Sequence, residues 1–344
     1  MKTLEEDPLV YIVIVTWNDR RVIEPMLESI FTQVDRARTE IICVDNGSTD
    51  ETIEYLKLRG DLTVIENGLN AGYPVAMNRG ARAARGDYIM LCNPDLVFRE
   101  GAINAMLREL RNDKELGGVN PLIEVPGDPP HPYPVHRLDP GLYYGLTFYS
   151  GLMTRFAQSR WLNWHLVLNP KSNTRDIPWI HGCCGLFRKG ALATVGGGFD
   201  ERFFIYFEDA DLGRSLRRNG WRLRMANDAH VLHMENQTCR RIAVPSRVFF
   251  MESWHKYLRK YHRRPYRALA FLCVGAALLF QLVLQLCKYP FGRAFYLPVI
   301  FAYLKTHCMA PFRNLEAERE AELASLKTRW KPLPQCLQPA NPSR

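Results

Sequence analysis

Four side chains in this sequence have the type and setting for metal and proton chemistry. Asp95 closes the segment Asn93-Pro94-Asp95, directly after the apolar run Tyr88–Cys92. A carboxylate presented from a strand end in this way can hold a hard divalent cation; it can equally be a turn or cap residue. Glu208 and Asp209 open a stretch in which Leu212, Leu216 and the Gly220 stop mark a helix from about Asp209 to Asn219. Acids at a helix N-terminus complement its dipole. A carboxylate there can also act as a general base if it is ionised near neutral pH and reaches a hydroxyl. The aromatic lead FFIYF (Phe203–Phe207) favours the second use, because it would hold the turn against a core. His233, in HVLHMENQT, offers an imidazole that as the neutral ring binds metals or serves structure; His230 is read as structural.

The elements that must position these residues are legible upstream. Val10–Val15 is a continuous run of mostly β-branched residues, the pattern of a strand buried on both faces. Val22, Met26, Leu27, Ile30 and Phe31 follow at helical spacing. Ile41–Val44 is a second strand closed by Asp45-Asn46-Gly47-Ser48. A helix capped by Asp50 comes next, with Ile53, Leu56 and Leu58 as its apolar positions. Leu62–Ile65, the helical Val75–Ala84 and Tyr88–Cys92 complete a βαβαβαβ order, which implies an α/β fold with a mostly parallel sheet. Such sheets bind ligands at the carboxyl ends of their strands. Three polar exits fall there: Thr16-Trp17-Asn18, Asp45-Asn46 and Asn93-Pro94-Asp95. Residues 121–178 lose periodicity and read as a partly irregular insertion over that edge, before regular structure resumes at Trp179.

Taken together, VIVTWN, VDNGSTD, LNAGYPVAMNRGARAARGDYIMLCNPD, HGCCGLFRKGALATVGGGFDERFFIYFEDADLGRSLRRNGW and HVLHMENQT resemble the family 2 glycosyltransferases, within them the bacterial rhamnosyltransferase-like branch. The resemblance covers roughly Val10 to Thr238. It implies the GT-A fold and inverting transfer of a sugar from a nucleotide-diphosphate donor, with a divalent metal, Mn²⁺ or Mg²⁺. It makes Asp95 the metal carboxylate, Asp209 the base that deprotonates the acceptor hydroxyl, and His233 a metal ligand or diphosphate contact. Glu208 would orient the acceptor or the base. Asp211, by its own setting, would pair with Arg214 or Arg217 or support the loop. On the donor side it places Thr16, Asn18, Asp45, Asn46, Asn70, Gly72, Asn78 and Asn93; Asp45-Asn46-Gly47-Ser48 is also good turn chemistry. Many relatives carry an aspartate where this chain has Asn93, so the site has one charge fewer. Gly182-Cys183-Cys184-Gly185 resembles a small-residue turn under the sugar. Trp161, Trp164 and Trp179 could stack on sugars.

The chain has 344 residues, a net charge of +9 and nine cysteines with no CxxC pair. The basic balance suits phosphates or an anionic membrane. Nucleic acid would rest on charge alone, with no zinc-finger or helix-turn-helix pattern. The cysteines read as reduced, buried thiols of a cytoplasmic protein without a signal peptide. Ala268–Cys287 is a twenty-residue apolar run with basic residues on both sides, followed by a second apolar stretch, Phe295–Leu304. Charge on both flanks favours an in-plane or re-entrant helix over a clean span. The expected organisation is a catalytic domain over 1–244 with an acceptor-side insertion at 121–178, a membrane-associated region over 245–332, and a Pro-rich tail, 333–344. Its place would be the cytoplasmic face of the cell membrane, and its acceptor a glycan or polyprenyl-linked glycan. Two other readings compete: a sugar nucleotidyltransferase, which would want a glycine-rich loop that TWNDRR lacks, and a non-catalytic sugar-nucleotide-binding protein.

Overall fold

The computed structural model describes residues 10–327, apart from 129, 137, 157, 158, 160, 163, 165, 168–175, 235–242 and 289–296. Part of HVLHMENQT, the start of the second apolar stretch and the Pro-rich tail lie outside the described residues.

The first half alternates β1 (Val10–Thr16), α1 (Arg20–Phe31), β2 (Thr39–Asp45), α2 (Thr52–Leu58), β3 (Thr63–Glu66), α3 (Tyr73–Ala83) and β4 (Tyr88–Cys92). Every residue of β1 and β4 is buried, as a strand covered on both faces requires. Asp50 accepts hydrogen bonds from the Thr52 amide and hydroxyl at the start of α2. Leu58 does not join the apolar face of α2: it is 86% exposed, while Leu56 alone reaches the core.

The chain continues through β5 (Leu96–Phe98), α4 (Ala102–Asn112), β6 (Leu116–Val125), β7 (His131–Pro132), β8 (Val135–His136), α5 (Leu142–Tyr149), α6 (Leu152–Arg155) and β9 (Leu166–Val167). Then come β10 (Cys184–Arg188), α7 (Lys189–Ala193), α8 (Glu208–Arg218) and β11 (Arg222–His233). The sheet runs β3-β2-β1-β4-β10-β6-β11-β5, with β7 on the edge of β6 and β8-β9 a separate ribbon. From β3 to β4 all pairs are parallel. β10 is antiparallel to both β4 and β6, β6 and β11 are parallel, and β5 returns antiparallel to β11. The irregular stretch expected from residue 121 therefore starts later, since 121–125 are interior to β6. Apolar clusters fill both sheet faces, one under α1 and α4 and the other under α3 and α8.

Among the described residues the helices that follow are α9 (Ala243–Tyr261), α10 (Arg264–Lys288), α11 (Leu297–Met309) and α12 (Leu315–Lys327). A third apolar cluster joins Tyr149 of α5, Phe203 and Phe207 before α8, Trp254 and Tyr257 of α9, Ala270, Val274 and Leu278 of α10, and Tyr303 of α11. Of the described cysteines, Cys43, Cys92, Cys183 and Cys184 are buried free thiols. Cys273 is half-buried, and Cys287 and Cys308 are exposed, contrary to the buried reading.

Candidate active site

Strand pairing places the first two groups. β5 begins one residue after Asp95, and its register sets Leu96 opposite His233 at the end of β11, while the Met234 amide donates to the Asp95 carbonyl at 2.9 Å. The two side chains consequently meet: His233 Nε2 lies 3.2 Å from Asp95 Oδ1. That contact falls outside hydrogen-bond geometry, and the buried Asp95 Oδ1 has no donor among the described residues. An orphaned buried carboxylate oxygen beside an imidazole nitrogen is costly on its own and suits a cation between them. No group of three metal-binding side chains occurs among the described residues. A cation here would thus take its other ligands from a diphosphate and water.

Asp209 and Glu208 are aimed by a strained turn. Tyr206 and Phe207 both have left-handed backbone, φ 70° and 64°, which for bulky residues persists only when the surroundings enforce it. They do so here: Phe207 packs edge-on against Tyr144 and against Phe250. α9 also grips the preceding loop, with Ser246 bonded to the Tyr206 hydroxyl at 2.6 Å, Ser253 donating to the Ile205 carbonyl at 2.7 Å and Lys256 to that of Arg202 at 2.8 Å. Asp211 takes Lys260 at 2.6 Å and the Tyr261 hydroxyl at 2.7 Å. This corrects the expected pairing with Arg214 or Arg217, both of which turn to Asp139.

The Gly182 amide donates to Asp209 Oδ2 at 3.0 Å and that of Ala210 to Oδ1 at 2.8 Å. Each oxygen keeps lone-pair capacity for a further donor. Burial raises the Asp209 pKa, and the two amides moderate the rise. Glu208 is pushed well above the ordinary range, first by burial and then by the charge of Asp209, and its Oε2 has no hydrogen-bond partner among the described residues. At Gly182 a Cβ would stand 3.3 Å from Asp209 Oδ2, close enough that the carboxylate would have to shift by a few tenths of an ångström. The same turn is tied to the strand carrying Asp95: the Asn93 amide donates to the Cys183 carbonyl at 2.8 Å, and the Tyr73 hydroxyl to that of Gly182 at 2.5 Å.

One cleft of about 360 Å³ is lined by Asp95, His233, Asn93, Asp209, Glu208, Asn46 and Asn70. The other residues expected at the donor do not line it. Thr16 is buried and donates to Asp45, and Asp45 accepts from the Gly47 and Ser48 amides at 3.1 Å, which is the turn reading. Asn18 Oδ1 accepts from the Thr49 and Asp50 amides. Asn78 holds the Phe199 backbone through both amide atoms, remote from the cleft. Gly72 (φ 89°) makes room for the Phe204 carbonyl, which a Cβ would approach to 2.7 Å. Asn46 is the hub: its Oδ1 accepts from Asn67 Nδ2 and the Ala71 amide, and its Nδ2 donates to Asn70 Oδ1 at 2.9 Å.

Sequence reasoning missed Tyr73, Tyr133, Tyr144 and Phe250 in the cleft wall, and had Trp17 and Tyr206 only as parts of a strand exit and of the aromatic lead. They come from distant segments, and nothing in their spacing signals a common surface. His181, also missed, is half-buried there; desolvation of its ring and the neighbouring His233 lower its pKa to about 4. Of the three tryptophans, Trp179 lines the cleft, whereas Trp161 is 91% exposed and Trp164 is also exposed.

Comparison with known proteins follows this geometry. Residues 11–196 match the family described as Glycosyl transferase family 2. The chain is 31% identical over 234 residues to the N-acetylglucosaminyl-diphospho-decaprenol L-rhamnosyltransferase of Mycobacterium tuberculosis, covering 64% of this chain and 75% of that one. It is 23% identical over 261 residues to the rhamnosyltransferase WbbL of Escherichia coli, covering 73% and 93%. Among solved structures it resembles the mannosyltransferase PcManGT of Pyrobaculum calidifontis in complex with GDP-Man and Mn²⁺: TM-score 0.53, 19% identity, 94% of this chain and 86% of that one. It also resembles GalNAc-T7 with UDP, GalNAc and Mn²⁺: TM-score 0.54, 16% identity, 74% and 48%. The fold is that of the GT-A glycosyltransferases.

Proposed function

The chain belongs to glycosyl transferase family 2 and is a glycosyltransferase using a nucleotide sugar, and from that premise we propose that it transfers a sugar, rhamnose by its relatives, with inversion to a lipid-linked glycan. The observation that carries this reading is the convergence of Asp95, His233 and Asp209 on one cleft, with a single turn, 181–183, linking the strand of the first to the base of the third. Asp95 and His233 would hold a divalent cation, Mn²⁺ or Mg²⁺, which when bound neutralises charge on the departing diphosphate. Asp209 accepts the proton of the acceptor hydroxyl as that oxygen attacks the anomeric carbon from the face opposite the diphosphate. Glu208 keeps its proton more tightly and orients the hydroxyl. Asn46 and Asn70 shape the nucleotide side, and the aromatic wall of Tyr144, Trp179, Tyr206 and Phe250 forms the acceptor side.

A thermal-shift series with UDP, GDP and dTDP, each with Mn²⁺, tests the donor. A nucleotide present at about a hundred times its Kd stabilises by about 2.7 kcal/mol, a shift of several degrees. If none of the three raised Tm at millimolar concentration, the donor reading would be wrong.

The acceptor side faces a region suited to a membrane surface. Helix Arg264–Cys287 is, among the described residues, long and apolar enough to cross a bilayer, but only 28% of its apolar window is buried. Its inner face is fastened to α5 near both ends, through the Tyr266 hydroxyl on the Leu142 amide and Gln281 on the Ser150 carbonyl. Its outer face exposes Leu269, Leu272, Leu279, Phe280, Val283 and Leu286. A helix wedded along its length to the catalytic body fits insertion in the plane of the interface. We expect the protein to sediment with anionic phosphatidylglycerol vesicles, and the double variant Leu272→Asp, Leu279→Asp to lose at least tenfold in partitioning. Equal sedimentation of variant and parent would remove this face from the membrane.

A further inference from the structure

We propose that α12 is a strap across the outside of the donor side of the cleft, with Arg319 as its positioning residue. The proposal rests on reading the Asn46–Asn70 side of the cleft as the donor side. α12 lies beyond the long apolar helix in sequence, yet it packs on the opening half of the sheet. Leu323 and Leu326 form a small apolar cluster with Ala71, Val75 and Leu69. From the same helix the Arg319 side chain, only 2% exposed, runs inward. Its Nη2 donates to the Ala71 carbonyl, its Nε to the Glu201 carbonyl at 3.2 Å, and its Nη1 to Glu322 at 2.6 Å. Its guanidinium sits 5.1 Å from the centre of the Phe204 ring.

These contacts fall on two pieces of the cleft frame. Ala71 lies between Asn70 and Tyr73, both of which line the cleft. The Ala71 amide is bonded to Asn46 and the Tyr73 amide to the Phe204 carbonyl at 2.8 Å. Glu201 and Phe204 belong to the segment leading into the base helix, and Phe204 is itself a wall residue. Gly72 is where they crowd together: a Cβ there would lie 2.7 Å from the Phe204 carbonyl and 2.9 Å from Arg319 Nη2. Taking a guanidinium out of water is expensive unless its fork is filled. Here the fork is filled by the Glu322 carboxylate and by two backbone carbonyls of separate loops, an arrangement that fixes the distance between the loops. Arg319 does not line the cleft. It acts through the 69–73 loop, so losing it should weaken donor binding far more than it slows the chemical step.

The test uses the full chain and three variants, Arg319→Ala, Arg319→Lys and Leu323→Ala. Hydrogen exchange across 68–76 should speed up at least tenfold in Arg319→Ala, with 10–45 unchanged. Affinity for whichever of UDP, GDP or dTDP binds with Mn²⁺ should fall about tenfold, about 1.4 kcal/mol, with kcat at saturating donor within about threefold of the parent. Arg319→Lys should recover part of the affinity, because an ammonium reaches one carbonyl but cannot span two. Leu323→Ala, which keeps the guanidinium, gives the same pattern in smaller measure if Arg319→Ala does not fold. Unchanged exchange at 68–76 in the folded variants would overturn the strap. Faster exchange with unchanged nucleotide affinity would overturn its donor role. If the parent bound none of the nucleotides, the donor reading and the donor role would fall together, and the exchange rates would still decide whether the strap exists.

Discussion

Asp209→Asn should lower kcat by about 10²–10⁴-fold, the usual worth of a positioned general base, and leave nucleoside diphosphate affinity within about twofold. The asparagine fills the same space but cannot take up a proton. It also cannot satisfy both backbone amides that Asp209 accepts from, at Gly182 and Ala210. One of them would meet the amide nitrogen, at a stability cost of about 1–3 kcal/mol. A modest fall in Tm should accompany the loss of turnover, and the assay belongs well below both melting points. The pH dependence has a definite sign. Burial raises the Asp209 pKa, so the base takes up a proton, and kcat/KM falls, at a pH above the ordinary aspartate range as the solution is acidified. Glu208, raised further, titrates with it as a coupled pair. An Asp209→Asn enzyme retaining more than a tenth of parental kcat would take the base role away from this residue.

Asp95→Ala should cost about 10³-fold in transfer and abolish the Mn²⁺ dependence of nucleotide binding, on the scale of losing several kcal/mol of charge stabilisation at the leaving group. The setting makes a sharper expectation. With Asn93 in place of a second acid, the protein offers one carboxylate and one imidazole. Calorimetry should therefore detect little Mn²⁺ binding to the free protein and strong binding once UDP, GDP or dTDP is present. Excess chelator should stop transfer and added Mn²⁺ restore it. Full activity in chelator would mean that side chains alone stabilise the diphosphate.

Both expectations concern residues that were visible in the sequence, for an identifiable reason. Asp95 and Asp209 sit where an element type changes, after a buried apolar strand and at the start of an amphipathic helix, and those patterns survive without tertiary information. The second half of the sheet was much less legible. β6 contains Gly117, Gly118 and Pro121, residues that argue against a central strand. The two glycines are there because Trp221, Phe187 and Ile180 fill the space a Cβ would need, to within 2.7–2.8 Å. The strand exits were only partly legible for another reason. Asparagine, aspartate and threonine at strand exits bind ligands or backbone with equal ease. In Thr16, Asn18, Asp45 and Asn78 the backbone and its neighbours take the side chain, leaving Asn46, Asn70 and Asn93 on the cleft.

The grip of α9 on the turn before the two acids has a consequence for how the protein is made. Ser246, Phe250 and Ser253 leave the ribosome some forty residues after the turn they hold at Tyr206 and Ile205. A nascent chain emerges N-terminus first, so the sheet can assemble while two bulky residues still lack the wall that enforces their left-handed backbone. A fragment cut before α9 would carry every motif quoted above as far as His233, and could bury its sheet, with its acids unaimed. Competence would then arrive late in synthesis, and a soluble truncation chosen by motif content alone would be a well-folded but idle protein.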